Sequence, residues 1–269
     1  MFLHRPIGEN LLIGDNFGEV KFGDALAICG IIEALRQQYG IDYKIVPSDG
    51  YGFTQARDLI AGYIAEKPDG ILSIVGDSWA YFDIVYQTEK KLPELNYPKP
   101  IRHEVCINPM LGAFYNPDRN WANNTVYRLL DGFKGRDVCV VGVSKNLKPF
   151  KSLYPEYTWI LDDLDKSIKA VLGSKIYIGG DTGLTHLAAI SPMKQKCFFL
   201  YGCRSDWRSD CIVKNNEAVY KEKLVVPSGY EMKGYYPKVS PNKDSEIILL
   251  TPSGMLSSDE IERINAVND

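Results

Sequence analysis

Residues 175–190 read Lys-Ile-Tyr-Ile-Gly-Gly-Asp-Thr-Gly-Leu-Thr-His-Leu-Ala-Ala-Ile, and this stretch decides the fold. Lys175 to Ile178 is a short run rich in β-branched and aromatic residues, as in a buried strand. Gly179 to Gly183 is a glycine-rich turn, and Leu184 to Ile190 continues as an apolar helix. A strand that passes through such a turn directly into a helix is a building unit of α/β proteins. Its chemistry follows from its geometry. The first N–H groups of a helix have no partner within the helix, and that end carries partial positive charge, so the turn suits an anion. Glycine lets a phosphate approach the backbone closely, and Asp181 or Thr182 can cap the helix. A purely structural turn, with a capping Asp and a buried His186, accounts for the same residues equally well. The run is neither GxGxxG nor GxxxxGK[ST], so it supports neither a dinucleotide dehydrogenase nor a P-loop NTPase.

Outward from this unit the alternation continues. Strands are expected at Asn10 to Gly14, Tyr43 to Val46, Gly70 to Val75, Arg102 to Ile107, Asp137 to Val143, Tyr157 to Ile160 and Lys196 to Tyr201. Helices are expected at Gly23 to Tyr39, Thr54 to Ala65, Trp79 to Lys91, Ala122 to Phe133, Asp163 to Leu172 and Ser258 to Val267. Strands alternating with helices imply parallel sheets with crossover connections. Leu92 to Pro100 holds three prolines and reads as a linker. The expected fold is therefore α/β, with two Rossmann-like αβα domains facing a cleft and an abbreviated N-terminal domain. The domains span residues 1–96 and 101–255, and the last helix, within 256–269, is expected to cross back onto the first domain. From Ser205 to Gly254 the pattern is irregular.

Composition narrows the function classes. The chain has 269 residues, 45% apolar and 24% charged, which suits a globular protein with one large or two small cores. A net charge of −3 provides no general attraction to nucleic acid or anionic membrane. The small basic groups Lys145, Lys148, Lys151 and Arg204, Arg208 read as a solvated face. Six cysteines include no CxxC pair, and Cys106, Cys139 and Cys197 lie in apolar runs, so small buried thiols are expected. No basic segment followed by an apolar one opens the sequence, and no apolar run nears the ~20 residues of a membrane span. A cytoplasmic location is the expectation.

The string GGDTGLTHLAA (179–189), followed by a strand ending in Tyr201-Gly202, resembles the donor-binding segment of the ADP-heptose:lipopolysaccharide heptosyltransferases, glycosyltransferase family 9. There a D-[ST]-G-x-x-H-L-A-A run precedes a strand ending in [FY]-G. A second match lies at Lys21-Phe22-Gly23-Asp24-Ala25-Leu26, continuing to Ala34-Leu35-Arg36. It is similar to the family's first glycine-rich turn and helix, S-x-G-D followed by A-L-R. A third, Asp118-Arg119-Asn120-Trp121, is similar to the family's K-x-W-P segment, with Arg119 in place of lysine and no proline.

The resemblance implies a GT-B architecture and a metal-independent transferase that moves a heptose or other sugar from a nucleoside diphosphate sugar to a hydroxyl, with a glycan or lipopolysaccharide-core acceptor. The sugar nucleotide is a co-substrate, and neither cofactor nor metal is implied. Asp24 becomes the candidate general base, although a helix N-cap would suit the position as well. Gly23, Arg119, Gly180, Asp181, Thr182, Gly183, Leu184, Thr185 and His186 become the candidate donor-binding residues. Asp162, Asp163 and Asp165 fall at a helix start, where capping explains them better than metal ligation. His4 and His103 have no motif context. Three other readings stand beside this one: a transferase acting on a DNA base, a sugar-nucleotide-binding protein without turnover, and a GDS-type hydrolase with Ser78 of Gly76-Asp77-Ser78 as nucleophile.

Overall fold

The computed structural model describes residues 10–13, 21–40, 44–47, 56–65, 91–112, 119–201, 211–214, 217–220, 239–251 and 253–267. The chain divides into two compact units, Met1–Pro98 with Glu222–Lys238, and Lys99–Lys221 with Val239–Asp269. The division falls in the proline-bearing stretch, which forms neither helix nor strand.

In the first unit, β1 (Asn10–Ile13) pairs in parallel with β2 (Lys44–Pro47), and α1 (Phe22–Tyr39) connects them. Ala25, Leu26, Ile28, Cys29 and Ile32 form the buried side of α1. Glu33, also buried, accepts hydrogen bonds from Arg36 Nη1 (2.7 Å), Gln37 Nε2 (3.1 Å) and Tyr63 OH (3.3 Å). Those donors make a buried carboxylate tolerable. The helix expected over Thr54–Ala65 is not continuous. From Ala56 the backbone passes through turns into a short 3₁₀ helix, Ala61–Tyr63. Gly62 weakens helix propensity there, and its carbonyl accepts from Lys44 Nζ at 2.6 Å instead of continuing a helical ladder. The strand expected at 70–75, most of the helix expected at 79–91, and Ser78 lie outside the described residues.

The second unit is built on six parallel strands: β3 (His103–Asn108), β4 (Val138–Gly142), β5 (Thr158–Leu161), β6 (Ser174–Gly179), β7 (Gln195–Tyr201) and β10 (Lys243–Leu249). Their order is β10-β7-β6-β3-β4-β5. A separate antiparallel pair joins β8 (Cys211–Lys214) to β9 (Glu217–Tyr220). The intervening helices are α2 (Asn123–Gly132), α3 (Ser144–Leu153), α4 (Leu164–Gly173) and α5 (Gly183–Ile190), with α6 (Ser258–Asn265) last. The chain enters at mid-sheet with β3, moves out to the β5 edge, then returns to β6 beside β3 and proceeds to the opposite edge. β3 and β6 are thus neighbours whose onward connections diverge, the topological switch of a doubly wound fold.

Strand alternation sorts the core into two faces. Val105, Ile107, Val138, Val140, Ile176 and Ile178 share one cluster with Val126, Leu129 and Leu130 of α2 and with Leu147 and Phe150 of α3. The other face carries a row of three cysteines and one tyrosine. The register aligns Cys139 with Cys106, Cys106 with Tyr177, and Tyr177 with Cys197. α4 and α5 pack on this side. All three thiols are free and fully buried, as their apolar setting implied. A hydrogen bond with Cys139, together with burial, pushes the Cys106 thiol up, so it stays protonated.

Four described elements of the second unit escaped the sequence pattern: α3, β10 and the β8–β9 pair. α3 contains Pro149 and buries only Leu147 and Phe150, while its lysines 145, 148 and 151 are exposed. β10 opens with the polar run Lys243-Asp244-Ser245-Glu246, which hides its strand character. α6 packs on α2, with Ile261 and Ile264 inside the cluster of the second unit. A capping box between Ser257 and Glu260 starts this helix. Before it, the chain turns at Gly254, whose φ of +75° lies in the left-handed region. The Gly254 carbonyl accepts from Ala122 N (2.8 Å) and Thr125 Oγ1 (3.0 Å), tying this turn to the start of α2. Among the described residues no helix is long and apolar enough to cross a membrane.

Candidate functional site

The C-terminal ends of β3 and β6 meet at the switch, where Asn108 lies opposite Gly179. Crevices at such a point are where open α/β sheets bind ligands. From β6 the chain turns through Gly180 and Asp181 into α5. Gly180 N donates to Asn108 O at 3.1 Å, closing the two strand ends together. Thr182, not Asp181, is the N-cap: its backbone is extended, and Oγ1 accepts from Thr185 N at 3.3 Å.

Under the turn lies a closed polar network. Thr182 Oγ1 donates to Asn108 Oδ1 at 2.6 Å, and Asn108 Nδ2 donates to Val141 O at 3.1 Å. The Thr185 hydroxyl donates to Gly180 O, so the Tyr177 hydroxyl, 2.9 Å away, donates to Thr185 Oγ1. Complete burial raises the Tyr177 pKa well above the phenol range and keeps that proton in place. Thr185 is fully buried. The Thr182 and Thr185 hydroxyls thus take part in fixing the shape of the turn.

Gly180 serves packing as well. A Cβ there would come within 2.4 Å of Met110 Cβ and 3.1 Å of Trp121 Nε1. The close approach that glycine permits is to the loop after β3, a role that chain pattern alone does not separate from phosphate contact. Gly180→Ala should destabilise the fold by about 1–3 kcal/mol through this overlap. Thermal unfolding checks it, and an unchanged melting temperature would mean the overlap relaxes freely.

The side chains beside the turn are charged. Arg119, ahead of α2, sends Nη2 to both the carbonyl oxygen (2.6 Å) and Oδ2 (2.7 Å) of Asp181. Its Nε is buried with no hydrogen-bond partner. A guanidinium N–H in that condition is exceptional and calls for an acceptor. His186 Nε2 stands 4.0 Å from Asp181 Oδ1, too far for a direct hydrogen bond. The Gly183 and Leu184 amides lie in the first turn of α5, where helical geometry supplies no partner. The Leu184 side chain is buried, so its backbone is what it can offer.

The structure therefore brings together Arg119, Asp181, Gly183, Leu184 and His186 around one turn, and sets Thr182 and Thr185 beneath it. Asn108, Tyr177, Met110 and Trp121 were missed by sequence reasoning. Asn108 had a signal: it is the polar residue ending an apolar strand, just before Pro109. Gly23 and Asp24 belong to the first unit, in the first turn of α1. Asp24 is the third helical residue, so it is not the N-cap.

Helix ends elsewhere are served by their own acids. Asp162 Oδ1 accepts from Ser144 N at 3.0 Å at the start of α3, and Asp163 caps α4 by accepting from Lys166 N at 2.9 Å. Hydrogen bonds from Ser144 and from Lys166, respectively, hold these two carboxyls below the usual range. Asp165 pairs with Lys169. Among the described residues no three His, Cys, Asp or Glu side chains gather as a possible metal site. His103 Nδ1 pairs with Asp137 at 3.1 Å.

Strand order and switch-point turn define the class: a Rossmann-like α/β protein with a charged turn at the carboxyl ends of a parallel sheet. No known family model matches the sequence. No curated protein matches it either. Solved structures do match. The chain is similar to ADP-heptose lipopolysaccharide heptosyltransferase II of E. coli, with a TM-score of 0.53 and 13% identity, covering 96% of this chain and 98% of that one. It is similar to the iron-containing dodecameric glycosyltransferase TibC of enterotoxigenic E. coli, with a TM-score of 0.57 and 14% identity, covering 96% and 75%. A glycosyl transferase family 9 structure from Veillonella parvula gives a TM-score of 0.50 at 10% identity, covering 91% and 86%. The chain has a heptosyltransferase-like, glycosyltransferase family 9 fold.

Proposed function

We propose that this chain is a glycosyltransferase that takes its sugar from a nucleoside diphosphate sugar and passes it to a hydroxyl, with a glycan or lipopolysaccharide core as acceptor. The observation that carries the reading is the buried, unpartnered Nε of Arg119 beside the open first turn of α5. A guanidinium and free helix amides converging on one crevice suit a diphosphate. The neighbouring structures support the nucleotide: one E. coli heptosyltransferase is described with ADP.

In this reaction the acceptor oxygen attacks the anomeric carbon while the bond to the diphosphate breaks. Asp24 takes the acceptor proton as general base. Negative charge grows on the departing diphosphate, and Arg119 with the Gly183 and Leu184 amides stabilises it there. His186 contacts the same group in this reading, and Asp181 holds Arg119 in its orientation. Because protein groups meet the charge, no metal is required. Calorimetric titration with ADP, UDP and GDP tests the binding half of the proposal, and a transfer assay with and without chelator tests the rest. Saturable binding of one diphosphate, and turnover that survives chelation, are the expected results. Failure of all three nucleotides to bind would sink the proposal, and loss of turnover on chelation would end its metal-independent form.

A further inference from the structure

At the opposite end of α5 from the crevice lies a buried lysine. Lys243, the first residue of β10, is 9% exposed. Its ammonium donates to Ser191 Oγ (3.0 Å), Gln195 Oε1 (2.8 Å) and Met193 O. Ser191 is the C-cap of α5. Gln195 in turn donates to Val171 O (2.5 Å) and Ser174 O (2.9 Å), which belong to the last turn and C-cap of α4. The carboxyl ends of two helices thus converge on one cation, where their dipoles favour positive charge. The same segment adds Ser240 N to Ala189 O (2.8 Å) and Asn242 Nδ2 to Pro192 O (2.8 Å).

We propose that Lys243 is a positioning residue for the anion turn: by clamping the C-terminal end of α5 it fixes how the helix presents its first turn at the switch point. The inference rests on the reading of that turn as a nucleotide site. α5 has only eight residues, so it is about 12 Å long, and a shift at one end reaches the other. An ammonium has three protons for the three acceptors around it, whereas a neutral amine has two and leaves one acceptor unmet. Burial lowers the Lys243 pKa to about 8, so the clamp is complete below that pH and weakened above it.

Few other titratable groups face Lys243. The Cys197 thiol of β7, pushed up to about 12 by burial, stays neutral across this range. Lys196 and Asp244 are paired with each other at 2.7 Å. Lys243 itself meets a hydroxyl (Ser191), a carbonyl (Met193) and the carboxamide of Gln195 in β7, and α4 and β6 contribute only carbonyl and hydroxyl groups, to Gln195.

The test is ADP affinity of the full chain between pH 7 and 9.5, for the parent, Lys243→Met and Lys243→Arg. The parent should weaken on the order of fivefold through about pH 8, the size expected when the clamp loses roughly one hydrogen bond. Lys243→Met should bind weakly without a step, and Lys243→Arg, charged throughout, should bind tightly without one. A Lys243→Met profile that keeps the parent's step overturns the proposal. Hydrogen exchange of the peptide covering residues 180–187, without ligand at pH 7, reads the positioning separately. If ADP binds to none of the chains, the nucleotide reading falls. Faster exchange confined to that peptide in Lys243→Met then still supports the clamp, and unchanged exchange overturns it.

Discussion

Asp24→Asn should lower kcat for sugar transfer by about two to four orders of magnitude, the usual contribution of a positioned general base. Asparagine matches aspartate in shape but cannot take a proton. Affinity for the sugar nucleotide should change by less than about twofold, because the lost interaction belongs to the transition state. Asp24 is the third residue of α1, where a carboxylate also favours the positive helix end. A purely structural role would therefore appear as a lowered melting temperature with kcat retained. Single-turnover measurement of transfer alongside thermal unfolding separates the two. Full activity in Asp24→Asn ends the base assignment.

Arg119→Ala should weaken nucleoside diphosphate binding by about 10- to 100-fold, since a hydrogen bond to a charged group contributes about 1.5–3 kcal/mol. The loss has a second component. Without the guanidinium, the Asp181 carboxylate, now 2.7 Å from Arg119 Nη2, faces the crevice without its partner and repels phosphate. The double variant Arg119→Ala/Asp181→Asn should consequently recover part of the affinity, a coupling that a double-mutant cycle measures directly. Both effects should shrink as salt is raised. Equal affinity of Arg119→Ala and the parent for every nucleotide tried would remove Arg119 from the site.

The sequence made β3 to β7 legible because these runs hold Val, Ile, Tyr, Phe or Trp and are bounded by turn residues. Cys106, Cys139 and Cys197 were legible as core for the same reason. β10 was hidden because its edge position lets Lys243, Asp244 and Glu246 stand where an inner strand would need apolar residues. α3 was hidden by Pro149 and by an apolar face of two residues. At the crevice, GGDTGLTHLAA announced a turn and a helix end but not which hydroxyls face inward. That depended on Asn108 and Tyr177, which lie 74 and 8 residues from their respective partners Thr182 and Thr185. Partnerships so distant in sequence leave no periodic trace. Gly180 carried a true signal with a different cause, because the close neighbour is Met110 of the chain itself.

The Gly254 carbonyl acts like a hinge pin set far along the polypeptide. It grips Ala122 and Thr125, three and six residues past Arg119, so the segment that carries the guanidinium is steadied by the turn that precedes α6. Any residue other than glycine at 254 would press on Asn120 O, 2.4 Å from where its Cβ must go. Damage at this remote spot, by substitution or by clipping the tail that follows, would therefore register at the bench as a poorer grip on nucleotide.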